Sequence, residues 1–296
     1  MRDDAAILIL THGRADNVKT DKALRRCGYT GKIFYIVDDE DEQLEQYVKN
    51  FGKDKVIIFS KEEAAKYTDT ADTLPEKNVV VFARNMCHKI ANDLGLKYFV
   101  EVDDDYNTFG YRVLRGNKLH EIKIKNFDRV FDAIFGFLDV SGALSIGIAQ
   151  GGDYVGGTNS GVWKEQLSRK IMNMFFCRVD RPFKFYGRLN EDVTMYTYLG
   201  QQGKLFFTIA GCVLHQLMTQ QNAGGLTDSY LSLGTYVKSF YSILYSPSCV
   251  KLFILSSWGH GKGHERIHHC VRWNNCTPKI INEKWKRGGR SENRKT

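Results

Sequence analysis

One stretch of the chain, residues 99–105 with the sequence FVEVDDD, constrains the fold more than any other. Its apolar residues are typical of a buried β-strand, which ends abruptly in the carboxylates of Asp103, Asp104 and Asp105. Along an extended chain, Asp103 and Asp105 point to one face and Asp104 to the other. Adjacent acids repel each other unless a cation compensates them. We therefore expect a divalent-cation site at the carboxyl end of a strand in an α/β sheet, with a solvated acidic turn as the alternative.

Earlier apolar runs follow the same plan. Residues 5–10 and 32–37 are typical of buried parallel strands, a helix at 19–27 joins them, and Asp38 and Asp39 end the second strand. This unit indicates a doubly wound, nucleotide-binding sheet. Because it contains neither a G-x-G-x-x-G nor a P-loop motif, the dinucleotide and Walker modes of phosphate binding are excluded. The predicted fold class is α/β, with a mostly parallel, Rossmann-like sheet flanked by helices.

The rest of the chain continues this alternation of strands and helices. Further strands are predicted at residues 56–59, 97–102, 144–149, 172–177 and 204–209, and helices at 86–94 and 127–140. Alternating patterns on both sides of Gly116 and Asn117 predict a β-hairpin. Five glycines between residues 150 and 161 indicate close approach of the backbone to a ligand or to another segment.

Two later features carry groups that could do chemistry. Glu191 and Asp192 begin a predicted helix, where acidic side chains are electrostatically favourable in any case. One of them could also act as a general base that accepts a proton from a hydroxyl group. His215 lies on an apolar strand, either as a histidine satisfied in the core or as a ligand that completes a mixed oxygen and nitrogen metal site with Asp105.

The net charge of +8 is concentrated near the end of the chain. Ten Lys or Arg residues and three Glu residues fall within residues 257–296. We therefore divide the chain into a main domain, 1–256, and a basic extension, 257–296, that contains histidine and tryptophan. Such a segment is typical of polyanion binding, with a solubilising tail as the alternative. The candidate DNA-binding residues are Lys262, Arg266, Arg272, Lys284, Lys286 and Arg287.

Composition limits the broad class of protein. No apolar run approaches the roughly 18–20 residues that cross a bilayer, and the first residues lack the apolar core of a signal peptide. Seven cysteines, an odd number, fit a reducing compartment better than a disulfide framework. We therefore expect a cytoplasmic protein with no membrane partner.

Taken in order, several of these segments resemble those of the metal-dependent GT-A glycosyltransferases, and in particular the β-1,4-galactosyltransferase-type enzymes. The matching segments are residues 81–85 with the helix that follows them, 98–105, 155–167, 187–192 and 211–215. The resemblance implies a GT-A fold in the main domain and transfer of a sugar from a nucleotide sugar to a hydroxyl group. One departure is that the family's Trp before the acid pair is absent, with Phe185 and Tyr186 as the nearest aromatic residues.

The same resemblance implies a role for each candidate residue. Asp105, His215 and Asp103 would hold Mn²⁺ or Mg²⁺, which bridges the diphosphate of a UDP-sugar. Asp192, or Glu191, would deprotonate the acceptor hydroxyl. The residues that would bind the nucleotide sugar are Thr11, Arg14, Asp38, Asp39, Arg84, Asp103, Asp104, Gly156 and Gly157.

The whole chain, including its basic end, is most similar to the phage TET-associated glycosyltransferases. That family acts on modified cytosine in DNA after a hydroxylating enzyme has supplied the 5-hydroxymethyl group. The resemblance implies 5-hydroxymethylcytosine DNA as the acceptor, a functional link to a TET-like hydroxylase and, for a phage-encoded protein, the cytoplasm of the host cell. The alternatives are a protein or glycan acceptor, a nucleotidyltransferase, and a nucleic-acid-binding module without catalysis.

Overall fold

A ten-stranded sheet lies at the centre of the computed structural model, which describes residues 2–75, 77–216, 238–255 and 266–278. The strands are β1 (Ala5–Leu10), β2 (Lys32–Asp38), β3 (Val56–Phe59), β4 (Tyr98–Asp103), β5 (Tyr106–Arg115), β6 (Lys118–Lys123), β7 (Ser145–Gln150), β8 (Leu167–Ser168), β9 (Phe175–Arg178) and β10 (Phe206–Gln216). A separate pair consists of β11 (Val250–Leu255) and β12 (Arg266–Val271).

Helices cover the two faces of the large sheet. They are α1 (Thr20–Arg26), α2 (Leu44–Phe51), α3 (Lys61–Tyr67), α4 (Val80–Asp93), α5 (Phe127–Ser141), α6 (Gly161–Glu165), α7 (Glu191–Gln201) and α8 (Lys238–Tyr245). The first strand shows how the two layers arise. All six residues of β1 are buried, and successive side chains alternate between two hydrophobic clusters, one on each side of the sheet.

The strand order is β3-β2-β1-β4-β9-β7-β10-β5-β6, with β8 paired to β10. Strands β1 to β4, β7 and β10 share one direction, whereas β9 and β5 run against their neighbours. These pairings confirm the predicted α/β class. The chain places β2 and β3 on one side of β1 and β4 on the other. The crevice at the carboxyl ends of β1 and β4 is therefore a topological switch point, where ligands bind in sheets of this kind.

The end of the described chain packs onto α7. Strands β11 and β12 pair with each other, and the Trp273 indole stacks on Tyr196 of α7 with ring centroids 5.6 Å apart. The predicted boundary between residues 256 and 257 lies in the connection between these two paired strands. Residues 266–278 are thus in contact with the main domain, while residues 256–265 and 279–296 lie outside the described part.

None of the helices in the described ranges has the length and apolar character that crossing a membrane requires.

Candidate active site

The acid triplet at the end of β4 lies at the switch point, and Asp103 and Asp104 have different partners, in line with strand alternation. Asp104 is buried, accepting hydrogen bonds from Thr11 Oγ1 at 2.7 Å and Arg14 Nη1 at 2.9 Å. Its backbone oxygen also accepts from the amides of Lys19 and Thr20. Asp104 therefore fastens the turn after β1 to the end of β4. The structure directs its carboxylate, and the Thr11 hydroxyl, into the protein rather than toward a ligand.

Within the described ranges, Arg84 of α4 is the buried cation that binds Glu101, Asp103 and Glu191. Its guanidinium donates to Glu101 at 2.6 Å, to Asp103 at 3.1 Å and to Glu191 at 2.9 Å. The side chain is 6% exposed, and its charge lies 5.2 Å from the centroid of the Phe175 ring. Since the three carboxylates occupy the guanidinium, Arg84 joins β4 to the start of α7. This arrangement does not favour the predicted direct contact between the Arg84 guanidinium and the donor diphosphate.

One arginine does not balance the acids around it. Burial raises the pKa of Glu101 to about 7, in spite of the contact with Arg84. Burial, followed by the charges of Asp103 and Asp104, raises the pKa of Asp105 to about 7 as well. In the part of the chain that the structure describes, no other side chain donates a hydrogen bond to Asp105. A half-buried carboxylate beside Asp103 that the charge of Arg14 compensates only in part fits a hard divalent cation such as Mg²⁺ or Mn²⁺.

His215 does not join this pair of aspartates. Strand β10 changes register against β5 between His215 and Gln216, and His215 Nε2 lies 2.8 Å from Glu121 Oε2 of β6. The predicted ligand atoms of Asp103, Asp105 and His215 do not all lie within 4.8 Å of one another. The hairpin of β5 and β6 supplies the competing partner, a carboxylate that sequence reasoning did not consider. The prediction of His215 as a metal ligand is thus not supported by this arrangement.

Within the described ranges, the only three potential metal-ligating side chains that come together are those of His12, Asp38 and Asp41. Burial alone would raise the pKa of Asp38, but hydrogen bonds from His12 at 2.6 Å and from Lys61, whose Nζ lies 2.9 Å away, lower it below its usual value. The hydrogen bond to Asp38 in turn raises the pKa of His12. Because Lys61 already supplies a positive charge, this cluster is compensated.

The neighbouring Asp39 is exposed, and its carboxylate accepts from the backbone amide of Lys61 at 2.9 Å. Sequence reasoning selected Asp38 and Asp39 but missed His12, Asp41 and Lys61. The polar turn that directly follows β1 was the available signal for His12.

The acid pair at the start of α7 is divided between two environments. Glu191 is buried and bound to Arg84, whereas Asp192 is half-buried and accepts from the amide of Val193 at 2.7 Å. Burial, and next the charge of Glu191, raise the pKa of Asp192 to about 7. A carboxylate that titrates near neutral pH is suited to general-base catalysis. Asp192 is therefore the better candidate for the base.

Elements from the end of the chain hold this pair in place. Asn190, which precedes α7, has a left-handed backbone with φ 60° and is buried. Its side-chain amide donates to Ser242 Oγ of α8 at 2.5 Å and to His269 Nδ1 of β12 at 3.3 Å. Burial lowers the pKa of His269 to about 3, so the ring stays neutral and can accept this hydrogen bond.

The predicted glycine pair lines a cavity of about 530 Å³ beside the hairpin of β5 and β6. Gly156 and Gly157 have φ values of 95° and 60°, in the region that other residues rarely adopt. Arg112 and Lys118 also line this cavity. The glycines therefore allow a sharp turn of the backbone next to a basic cavity.

The candidate DNA-binding residues are described only in part. Arg272 is exposed and directly follows β12, and Arg266 begins that strand. The other four, Lys262, Lys284, Lys286 and Arg287, lie outside the described residues.

The chain is similar to one known protein family and to several solved structures. The TET-associated glycosyltransferase family model matches residues 5–225. No curated protein matches the chain in sequence. Glucosyl-3-phosphoglycerate synthase from Mycobacterium tuberculosis, solved with Mn²⁺ and UDP-glucose, is a similar structure with 10% identity, coverage of 90% of this chain and 86% of that chain, and a TM-score of 0.44. TarS 1–349 from S. aureus, solved with UDP, shows 12% identity, coverage of 71% and 60%, and a TM-score of 0.42.

Proposed function

Because this chain belongs to the TET-associated glycosyltransferase family, we propose that it transfers a sugar from a UDP-sugar to the hydroxymethyl oxygen of 5-hydroxymethylcytosine in DNA. Family membership makes the chain a glycosyltransferase. The two alternative functions, a nucleotidyltransferase and a nucleic-acid-binding module without catalysis, are thereby excluded. The donor nucleotide, the metal and the acceptor are our proposals.

The observation that carries the proposal is the charge imbalance at the switch point. Glu101, Asp105 and Asp192 each have a pKa raised to about 7, and Arg84 is the buried cation among them. Carboxyl groups perturbed in this way, in a crevice at the ends of parallel strands, are typical of catalytic sites.

We assign the cation site to Asp103 and Asp105, whose carboxylates fit Mn²⁺ or Mg²⁺. When bound, such an ion supplies positive charge to a diphosphate leaving group. Arg14 is held near the same crevice by Asp104, and Asp38 lies at the end of the adjacent β2. We propose that the nucleoside lies over the ends of β1 and β2, with the sugar directed toward Gly156 and Gly157.

Asp192 is the base in this proposal. It removes the proton from the acceptor hydroxyl as that oxygen forms a bond to the anomeric carbon of the sugar. The bond between the anomeric carbon and the phosphate oxygen breaks, and UDP leaves with the electron pair. A single displacement of this kind inverts the anomeric configuration. Glu191 does not compete for this role because it is bound to Arg84.

Support for a DNA acceptor comes from the family and from the basic extension. A cytosine hydroxymethyl group inside a duplex is not within reach of the half-buried Asp192 carboxylate, so the acceptor is single-stranded or flipped out of the stack. We propose residues 1–256 as the catalytic domain and residues 257–296 as a basic extension that contacts the phosphates. The 5-hydroxymethyl group requires a hydroxylating enzyme upstream, which is the proposed link to a TET-like protein.

Release of UDP from a panel of UDP-sugars tests this function. We expect Mn²⁺-dependent release that rises when an oligonucleotide with 5-hydroxymethylcytosine is added and does not rise with unmodified cytosine. Asp105→Asn should abolish release, whereas Asp93→Asn, at an exposed position of α4, should not. Faster release with a glycan or peptide acceptor than with the modified DNA would contradict the acceptor assignment.

A further inference from the structure

A second cavity, of about 340 Å³, is lined in part by Trp273, which stacks on Tyr196 of α7, and has no role in the mechanism above. Its walls come from β7 and the turn after it, from α6 and β8, from residues 170–173 before β9, from β10 and from Trp273. The residues that matter for its chemistry are Asp153, Lys170, Met172, Asn173 and Trp273. Its volume is within the range of about 300–1,000 Å³ found for small-molecule sites.

The cavity is close to the proposed base. Asp192 and Tyr196 are four residues apart in α7 and so lie on the same side of the helix. The Trp273 indole is nearly parallel to the Tyr196 ring, with an angle of 18° between the planes. In addition, the charge of Lys170 opposes the rise in the Asp192 pKa that burial and Glu191 cause. The cavity and Asp192 therefore share one side of α7.

The polar groups in this cavity form a fixed acceptor and donor pair. Lys170 Nζ lies 2.7 Å from Asp153 Oδ1, and the backbone amide of Gln150 holds Asp153 Oδ2 at 3.0 Å. Asn173 is buried, and its amide nitrogen lies 3.3 Å from Gln150 Oε1. A carboxylate oxygen and an ammonium group thus stand side by side in a defined orientation.

Trp273 gives the cavity an aromatic wall. Trp273 is half-buried, and the Arg169 guanidinium carbon lies 5.6 Å from its ring centroid. Nucleobases stack on aromatic rings and on guanidinium planes alike. Trp273 lies beyond the residues that the family model matches, so that comparison assigns it no role.

We propose that this cavity holds the acceptor cytosine after it has left the base stack. The inference rests on the proposed function. Asp153 accepts from the exocyclic amino group, Lys170 donates to ring N3 or to O2, and Trp273 contacts the face of the base. The Watson–Crick edge is thereby engaged, while the C5 substituent lies on the other edge of the ring, free to face Asp192.

This arrangement distinguishes cytosine from uracil. At the position of the amino group, 5-hydroxymethyluracil presents a carbonyl oxygen, which would face the Asp153 carboxylate without a hydrogen between them. The proposed cavity therefore selects 5-hydroxymethylcytosine by its hydrogen-bonding edge, and not only by its hydroxymethyl group.

Steady-state kinetics of the full-length protein test the inference, with an oligonucleotide that carries one 5-hydroxymethylcytosine. We expect Trp273→Phe and Lys170→Met each to raise KM for the oligonucleotide about tenfold, with unchanged KM for the UDP-sugar. Lys204→Gln, an exposed position before β10, is the matched control and should leave both KM values unchanged. A melting temperature close to that of the wild type verifies folding of each variant.

Specificity provides a second readout that loss of structure would not produce. Asp153→Asn should lower the ratio of kcat/KM for 5-hydroxymethylcytosine over 5-hydroxymethyluracil about tenfold. Unchanged KM for DNA in both Trp273→Phe and Lys170→Met overturns the inference, and so does a rise in the donor KM instead. If the wild type transfers no sugar to 5-hydroxymethylcytosine DNA, the proposed function itself fails and this inference fails with it.

Discussion

Two groups of acids lie at the same edge of the sheet, and their electrostatics are opposite. At the ends of β1 and β2, Asp38 is paired with His12 and Lys61, and its pKa is lowered. At the end of β4 and the start of α7, Asp105 and Asp192 have pKa values raised to about 7. The side chains are of the same type, so the difference comes from the cations that the fold supplies.

The comparison distinguishes acids that stabilise the fold through paired charges from acids whose charge a bound ligand would neutralise. A compensated cluster is stable without any added ion, and it can position a ligand through hydrogen bonds. An undercompensated centre costs free energy in the folded protein, and a bound cation removes that cost. The number of acids therefore identifies the site less well than the balance of charge around them.

Removal of the proposed base should have the largest effect. Asp192→Asn keeps the shape of the side chain but cannot accept a proton at neutral pH. We expect kcat to fall by about 10²–10⁴-fold, with little change in donor KM, as measured by UDP release with the modified oligonucleotide. Activity within threefold of the wild type would show that another group is the base.

The undercompensated centre should depend on Arg84 for stability. Arg84→Met leaves Glu101, Asp103 and Glu191 without their shared cation, and we expect a loss of about 3–5 kcal/mol in the free energy of unfolding. Chemical denaturation at pH 7 measures this difference. A loss below 1 kcal/mol would mean that the acids are already protonated or screened.

Removal of the buried cation from the compensated cluster should lower the free energy of unfolding less than Arg84→Met does. Lys61 is 4% exposed on its side chain, but His12 still faces Asp38 once the lysine is removed. For Lys61→Met we expect a loss of about 1–3 kcal/mol, measured by the same denaturation. A loss larger than that of Arg84→Met would reverse the comparison.

The pH dependence of the rate should show the smallest effect. Because the pKa of Asp192 is raised to about 7, this group is protonated and inactive as a base below that pH. At saturating Mn²⁺ we expect kcat to fall about tenfold per pH unit below pH 7 and to level off above it. A flat profile between pH 5 and pH 8 would exclude Asp192 as the titrating base.

Local patterns in the sequence predicted the central features of the site. The alternation of Asp103, Asp104 and Asp105 follows from strand geometry alone, and the structure gives Asp103 and Asp104 different partners, Arg84 for the first and Thr11 with Arg14 for the second. The position of the triplet at a strand end followed from the apolar run before it. The start of α4 was missed, because the helix was predicted only from residue 86, whereas it begins at Val80.

Contacts between distant segments could not be predicted in this way. His215 was predicted as a metal ligand, and in the structure its Nε2 lies 2.8 Å from Glu121 Oε2 on the adjacent hairpin, a contact that the sequence pattern did not predict. The support of Asn190 by His269 joins residues 79 positions apart. Periodic patterns in the sequence do not predict a hydrogen bond between such distant residues. It depends on how α8 and β12 pack against α7.

The most direct test of the central claim is the site at which Mn²⁺ binds. Titration of Mn²⁺ in the presence of UDP, followed by electron paramagnetic resonance, should show one ion per chain in the wild type. We expect Asp105→Asn to weaken binding at least tenfold, and Asp41→Asn, in the compensated cluster, to leave it unchanged. Loss of the ion in Asp41→Asn together with wild-type binding in Asp105→Asn would contradict the account.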